Sequence, residues 1–161
     1  MDKLWKYTLF PIFLDSITDC TYVNMDEVDL RETLNNITKS AIQDFLFPKC
    51  SLAYAENTQR DPVDSDIYGY YFTDENIGEA EYKVLVSFMK VHWVKAQITW
   101  DNNFKNPTFD KNIKGYSPAN MLNAMRNTLE MFEKAARQER FNYNRINKNG
   151  KIAWGVINAK K

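Results

Sequence analysis

The chain contains a single histidine, His92, which lies in the segment MKVHWVKAQITW. A catalytic imidazole needs one group that orients it and a nucleophile or substrate on which it acts. On a helix, the positions four residues away on either side are Phe88 and Ala96, and the chain has no H-E-x-x-H zinc motif. We therefore expect His92 to be a structural residue that packs a helix or a subunit contact.

Carboxylates offer the next candidates for chemistry. The segment Asp64-Ser65-Asp66 matches the paired aspartates that hold a metal-bound sugar nucleotide. It is a bare three-residue match in an acidic stretch, with no EF-hand glycine or glutamate at the required spacing. Glu79 and Glu81 point to different faces of a helix, so they are not expected to form an acid/base pair. A solvated acidic loop is the better interpretation of residues 64–66.

Cys20 and Cys50 are the only cysteines, and they are far apart in the sequence. Two such thiols and one histidine cannot supply a typical zinc site. A disulfide is one alternative, but free thiols in a reducing cytoplasm fit the spacing better. Neither a glycine-rich phosphate loop nor a G-x-S-x-G nucleophile motif occurs. We therefore predict that the protein is not an enzyme and has no catalytic residue, metal site or cofactor.

The length of 161 residues suits one domain, and 44% hydrophobic with 26% charged residues indicates a folded protein. No apolar run approaches the roughly 20 residues of a membrane span, so no membrane partner is expected. The apolar stretch from Leu9 to Leu14 is interrupted by Pro11 and is not expected to be a signal peptide.

The first clear helical pattern begins after Asp26, a good N-cap residue. Apolar residues then recur at steps of three and four, and Pro48 sets the end of the helix. The residues that form this face are Leu30, Leu34, Ile37, Ala41 and Phe45. A long polar connection over residues 47–78 follows, with a short strand expected around residues 51–54.

A second helix is expected to run from near Thr73 to Ile98 or Trp100. Two adjacent apolar rows cover much of its circumference, which predicts a central helix buried on more than one side. The first row contains Ile77, Ala80, Val84, Ser87, Val91, Val94 and Ile98. The second row contains Leu85, Phe88, His92 and Ala96.

The third helix has the clearest start, with Ser117 as N-cap and Pro118 at the first helical position. It should end between Phe141 and Arg145. Its apolar row contains Leu122, Met125, Leu129, Phe132 and Ala136. Beyond it, Asn149-Gly150 is a turn signal followed by an alternating stretch, which predicts a hairpin or a tail ordered on a partner.

The predicted fold is therefore mainly α, a small helical domain of three main helices with a long loop. Residues 1–25 mix aromatic and β-branched side chains without helical spacing, and they are expected to form an extended N-terminal arm or short strands. The helical domain covers residues 26–143. Residues 144–161 form a basic C-terminal hairpin or tail.

The charges are unevenly distributed although their sum is zero. Asp15 to Glu32 holds six acids and one base, and Glu56 to Glu81 holds eight acids and one base. From Lys134 to Lys161 there are eight bases against Glu139 alone. This division predicts surfaces of opposite charge, which could attract copies of the chain head to tail or bind an acidic partner at the C-terminal end.

The basic C-terminal residues are the candidate partner-binding site, and they alternate with aromatic residues that include Phe141 and Tyr143. Bases with exposed aromatics fit a nucleic-acid surface. They fit equally a tail that docks into an acidic protein groove with a tryptophan anchor, or a solvated helix end. The candidate residues are Arg137, Arg140, Arg145, Lys148, Lys151, Trp154, Lys160 and Lys161.

Three stretches in order resemble the head-to-tail connector proteins of tailed phages that infect Gram-positive bacteria. AIQDFLFPKCSL is similar to the junction of helix, aromatic and Phe-Pro-basic residues in that family. VLVSFMKVHWVKAQI is similar to its next segment, with the methionine, the tryptophan and Gln97-Ile98 in place. YSPANMLNAMRNTLEMFEKAARQERFNY resembles its closing helix, which commonly opens with Tyr-Ser-x-Ala-Asn.

The resemblance covers about residues 26–143. The family usually has a proline after the Trp-x-Lys of the middle helix, where this chain has Ala96, so a straighter helix is expected here. The first 25 residues and the stretch from Asn144 have no counterpart in the family.

The resemblance implies a structural virion protein of the neck region, made in the host cytoplasm. Such an adaptor forms a homo-oligomeric ring, expected to be a dodecamer, below the portal protein. It extends the DNA channel, contacts passing genomic DNA without sequence specificity, and docks a downstream neck, stopper or tail protein. The alternative is a small helical DNA-binding or regulatory module that uses the basic C-terminal tail.

Overall fold

The computed structural model describes residues 4–17, 25–57, 69–103 and 118–145. Within those ranges the chain is mainly α, which confirms the predicted fold class. Four helices and two short strands follow one another along the chain. They are α1 (Trp5–Asp15), α2 (Glu27–Asp44), β1 (Tyr54–Asn57), β2 (Gly69–Phe72), α3 (Glu79–Asn103) and α4 (Pro118–Arg145).

The expectation of an extended N-terminal arm is wrong for residues 5–15, because they form helix α1. Trp5, Leu9 and Phe13 recur every four residues and are fully buried, so they form one helical face against the rest of the protein. Pro11 lies inside this helix and removes one backbone donor. Tertiary burial of the apolar face outweighs that local cost. Of the residues described before α2, Leu4 alone is strand-like, since it forms an isolated antiparallel bridge with Tyr71.

Helix α2 follows the sequence prediction closely. Asp26 is the N-cap residue, and its carboxylate accepts a hydrogen bond from the backbone N–H of Glu27, the first residue of the helix, at 2.8 Å. Of the predicted apolar face, Leu30 is partly buried and the other four residues are buried. The helix ends at Asp44, four residues before Pro48.

The connection after α2 contains a two-stranded antiparallel sheet. Its register pairs Tyr54 with Phe72 and Asn57 with Gly69, so β1 begins at the last residue of the predicted strand. The indole ring of Trp5 lies 5.2–5.3 Å from the rings of Tyr54, Tyr70 and Phe72. This aromatic cluster attaches the sheet to α1.

Helix α3 begins at Glu79, six residues later than expected. The Asp74 carboxylate instead accepts hydrogen bonds from the Ser51 N–H at 2.7 Å and the Asn76 N–H at 2.9 Å, which stabilises a turn. The Glu81 carboxylate then accepts from the Gly78 N–H at 3.0 Å, as in one half of a capping box.

Helix α3 is central, as the two apolar rows predicted, because it packs against α1, α2 and α4. It continues without interruption through Ala96. Helix α4 begins at the predicted Pro118 and ends at Arg145. It runs antiparallel to α3, with ion pairs between Lys83 and Glu139 at 3.3 Å and between Lys95 and Glu133 at 3.2 Å.

The predicted C-terminal hairpin or tail begins at Asn144, and residues 146–161 lie outside the described part of the chain. The proposed N-cap Ser117 and the pair Asp64 and Asp66 also lie outside it. No helix within the described ranges combines the length and the apolar character that crossing a bilayer requires.

Candidate interaction site where α2 meets α3 and α4

His92 has a carboxylate partner that comes from another helix. Its Nε2 lies 2.9 Å from Oδ2 of Asp44, the last residue of α2. An ionised carboxylate only accepts hydrogen bonds, so Nε2 is the donor. The His92 side chain is 22% exposed and that of Asp44 is 45% exposed. The contact therefore orients the imidazole at the surface and joins α3 to the end of α2.

Arg140 of α4 reaches the same end of α2. Its Nη1 donates to the Asp44 backbone carbonyl at 3.2 Å, and a carbonyl in the last turn of a helix lacks an intrahelical donor. The guanidinium carbon also lies 5.7 Å from the centre of the Phe88 ring. Among the described residues, no carboxylate lies within ion-pair distance of Arg140. Its charge is thus balanced only by a carbonyl dipole and an aromatic face.

A surface groove of about 260 Å³ opens at this junction, and we call it the junction groove. It has an apolar floor, and charged side chains form its walls. Its lining residues are Gln43, Asp44, Leu46, Phe88, Val91, Lys95, Glu133, Arg137 and Arg140. Each of the three helices contributes at least two of them, so the groove exists only in the folded arrangement.

The walls of the junction groove carry more positive than negative charge. Lys95 and Arg137 share the carboxylate of Glu133, at 3.2 Å and 2.9 Å respectively. The other carboxylate, Asp44, already contacts His92. Three cations of the groove therefore face two engaged carboxylates, and Arg140 is the one to which no described carboxylate is paired.

Two exposed apolar residues follow α2 at the edge of the groove. Leu46, which lines it, is 51% exposed, and Phe47 is 80% exposed. Phe47 also has φ of 62°, a left-handed conformation that is unusual for a bulky side chain. A large apolar side chain held outward on a strained backbone is a feature typical of contact surfaces.

A second polar cluster lies at the ends of the helices, around Glu81 and Tyr143. The Tyr143 hydroxyl donates to Oε1 of Glu81 at 2.6 Å and accepts from the Lys49 backbone N–H at 2.8 Å. The Lys49 ammonium contacts the Tyr143 carbonyl and lies 4.0 Å from the Tyr143 ring centre. These contacts fasten the segment after α2 to both α3 and α4.

The titration of this cluster argues for a structural role. Burial, followed by the negative charges of Glu81 and Asp74, raises the pKa of the Cys50 thiol to about 11. Burial and the hydrogen bond to Glu81 also raise the pKa of Tyr143 above its ordinary value. A thiol that stays protonated at neutral pH is a poor nucleophile.

The structure brings together part of the predicted partner-binding set. Arg137 and Arg140 line the junction groove. Arg145 lies beyond it, with its guanidinium 5.3 Å from the Phe141 ring centre. The remaining predicted residues lie outside the described part of the chain: Lys148, Lys151, Trp154, Lys160 and Lys161.

Sequence reasoning missed the contributions of α2 and α3 to this site. Asp44 and Lys95 lie on α2 and α3, and no local spacing relates them to Arg137 or Arg140, whereas Glu133 lies four residues before Arg137 on α4. The expectation of oppositely charged surfaces also needs revision for the described residues. The acidic start of α3 lies beside the basic end of α4, where Glu81 contacts Tyr143 and Lys83 pairs with Glu139.

Within the described ranges, no group of three or more His, Cys, Asp or Glu residues is placed to hold a metal ion. Comparisons of the chain with models of protein families, with curated proteins and with solved structures found no match.

Proposed function

We propose that this chain is a head-to-tail connector protein of a tailed phage. In this proposal it forms a ring, of twelve copies as in the family it resembles, below the portal protein in the neck of the virion. The ring extends the channel through which genomic DNA passes, without sequence specificity, and docks a downstream neck, stopper or tail protein. The chain is made in the host cytoplasm and acts mechanically, not as an enzyme.

The main support for the proposal is that the three stretches that resemble the connector family pack against one another in the fold. They supply the end of α2 with the residues after it, the middle of α3 and nearly all of α4. The contacts between them include Asp44 with His92, Arg140 with the Asp44 carbonyl, and Phe45 with Tyr143 at 5.1 Å between ring centres. In this proposal, the parts of the chain that resemble the connector family build one packed unit whose surface carries the junction groove.

The exposed features of that unit support an assembly role. A ring of identical subunits needs two different surfaces that fit each other, since each subunit contacts its neighbours head to tail. One such surface is formed by the junction groove, where Arg140 has no carboxylate partner among the described residues, and by the outward Phe47. The acidic residues of the 56–66 region supply opposite charge elsewhere in the chain.

The alternative is a DNA-binding or regulatory module that uses the basic C-terminal residues. Sequence-independent binding to DNA requires cations that are available to neutralise phosphates. Arg137 is instead paired with Glu133 at 2.9 Å, whereas Arg140 has no carboxylate partner among the described residues. The pairing counts against the alternative at Arg137 alone.

Reconstitution with the cognate portal protein separates the two functions. The connector proposal predicts that the chain adds to the portal as a ring visible by electron microscopy, and that deletion of residues 151–161 weakens this docking while the helical content is unchanged. A chain that stays apart from the portal but binds duplex DNA, with affinity falling steeply as salt rises, would favour the alternative. Unchanged portal docking after the deletion would show that the tail is not part of the docking surface.

A further inference from the structure

We propose that the junction groove binds the acidic segment 61–68 of a second copy of this chain. This inference rests on the proposed connector function and names the contact between neighbouring subunits of the ring. The segment reads DPVDSDIY, with carboxylates at Asp61, Asp64 and Asp66 between apolar side chains. Each property of the groove has a counterpart in that segment.

The excess of positive charge in the groove favours the binding of a carboxylate from another molecule. Its two carboxylates are engaged, Asp44 by His92 and Glu133 by both Lys95 and Arg137. Arg140 has no carboxylate partner among the described residues, and its planar guanidinium is well suited to bidentate binding of one. One aspartate from a neighbouring copy would complete the set at three anions for three cations.

The size and the apolar parts of the groove favour an extended segment over a small ligand. A volume of about 260 Å³ accommodates a few side chains and falls below the usual range for small-molecule pockets. Phe88 and Val91 form an apolar floor, and Leu46 is half exposed at the side. An isoleucine or valine next to an aspartate, as in residues 63–67, would cover these surfaces while the carboxylate reaches Arg140.

The contact would be heterologous, because the groove and the acidic segment are different parts of the chain. Such contacts close into rings when the rotation between neighbours allows it. A contact between two copies of the groove itself is unfavourable, since like charges would then face each other. The second copy therefore contributes its segment, and its own groove stays available for the next copy.

The test uses a fluorescein-labelled peptide of residues 58–68 and the purified full-length chain. We expect saturable binding that weakens as salt rises. A peptide with Asp61, Asp64 and Asp66 replaced by Asn should bind about tenfold more weakly or worse. No saturable binding of the acidic peptide, or equal binding of the Asn peptide, would overturn the proposal.

Two variants of the chain test whether the peptide binds in the groove. Arg140→Glu should weaken peptide binding by about tenfold or more, because it puts like charges in contact. Arg126→Glu makes the same charge change at an exposed position on α4 outside the groove, and it should change the affinity by less than about twofold. If Arg140→Glu perturbs the circular dichroism spectrum, Arg137→Glu serves instead, since that side chain is 65% exposed. Equal effects of the groove variant and Arg126→Glu would contradict the assignment.

The outcome can be separated from that of the connector proposal. If the peptide does not bind but the chain adds to the portal, the connector function stands and only this subunit contact is wrong. If the peptide binds through Arg140 but no virion protein associates with the chain, self-association through the groove stands and the connector function fails.

Discussion

The Tyr143 hydroxyl hydrogen bonds to the Glu81 carboxylate at 2.6 Å, which joins the end of α4 to the first turn of α3. Both residues are buried. The same carboxylate accepts from the Gly78 N–H, and the same hydroxyl accepts from the Lys49 N–H. One tyrosine thus connects the start of α3, the end of α4 and the segment that leads into the junction groove.

Tyr143→Phe should destabilise the protein by about 1–3 kcal/mol. The substitution keeps the ring against Phe45 but removes the hydroxyl that contacts Oε1 of Glu81 and the Lys49 N–H. Urea denaturation followed by circular dichroism measures the loss. Tyr7→Phe is the matched control, because Tyr7 is half exposed, and it should change the free energy of unfolding by less than about 0.5 kcal/mol.

The Cys50 thiol should react slowly with iodoacetamide in the folded protein. Its pKa is raised to about 11 from a reference of 9.0, so its thiolate is scarce at pH 8. We expect alkylation at least about tenfold slower than in the urea-unfolded chain, measured in a Cys20→Ser background. Equal rates in the two states would contradict the raised pKa.

Stability should also fall at alkaline pH. The pKa values of Cys50 and Tyr143 are both higher in the folded protein than their ordinary values, so the folded state holds protons that the unfolded state releases. The contribution of Cys50 is complete below pH 9.0, the reference pKa of the thiol, and is lost as pH rises through about 11. The contribution of Tyr143 is complete below its ordinary pKa of 10.0 and is lost at a higher pH, as its raised pKa is passed. Urea midpoints at neutral pH and at increasing alkaline pH test this. A midpoint that does not fall would show that the two groups titrate normally.

Phe47→Gly should leave the isolated chain as stable or more stable by up to about 1 kcal/mol. Glycine relieves the left-handed strain at φ of 62°, and little burial is lost because Phe47 is 80% exposed. Phe141→Gly is an informative control, since Phe141 is 53% exposed but helical, and there glycine should destabilise by about 1 kcal/mol. If Phe47 is a contact residue, its substitution should weaken assembly without unfolding the chain. Destabilisation at both positions would show that Phe47 is not strained.

His92→Ala should cost no more than about 1 kcal/mol, because its pair with Asp44 is partly exposed. A double-mutant cycle with Asp44→Asn isolates the coupling between the two side chains. The connector account predicts that portal docking survives His92→Ala. Loss of function in a fully folded His92→Ala protein would instead indicate that the imidazole does chemistry.

The helices that the sequence predicted well have both a capping signal and a regular apolar face. Asp26 caps the start of α2, and Pro118 is the first residue of α4. The apolar residues of both helices recur every three or four positions. Helix α1 was missed because Pro11 lies inside it and its aromatic residues read as β-prone, although Trp5, Leu9 and Phe13 recur every four residues. The packing of Trp5 against the β-sheet, which stabilises the helix, is a contact between residues far apart in the sequence.

The candidate site was only half predictable for a related reason. Arg137 and Arg140 were found because cations cluster near the C-terminus of the sequence. Asp44 and His92 are 48 positions apart and meet only because α2 ends beside the middle of α3. The charge balance that leaves Arg140 without a carboxylate depends on that crossing, which the spacing of residues along the chain does not specify.

Affinity capture of the tagged chain from its native lysate, with the bound proteins identified by mass spectrometry, tests the connector function most directly. The account predicts recovery of a portal protein and neck proteins, at reduced yield when residues 151–161 are deleted and at full yield with Arg126→Glu. Recovery of nucleic acid or host regulators without any virion protein would contradict it.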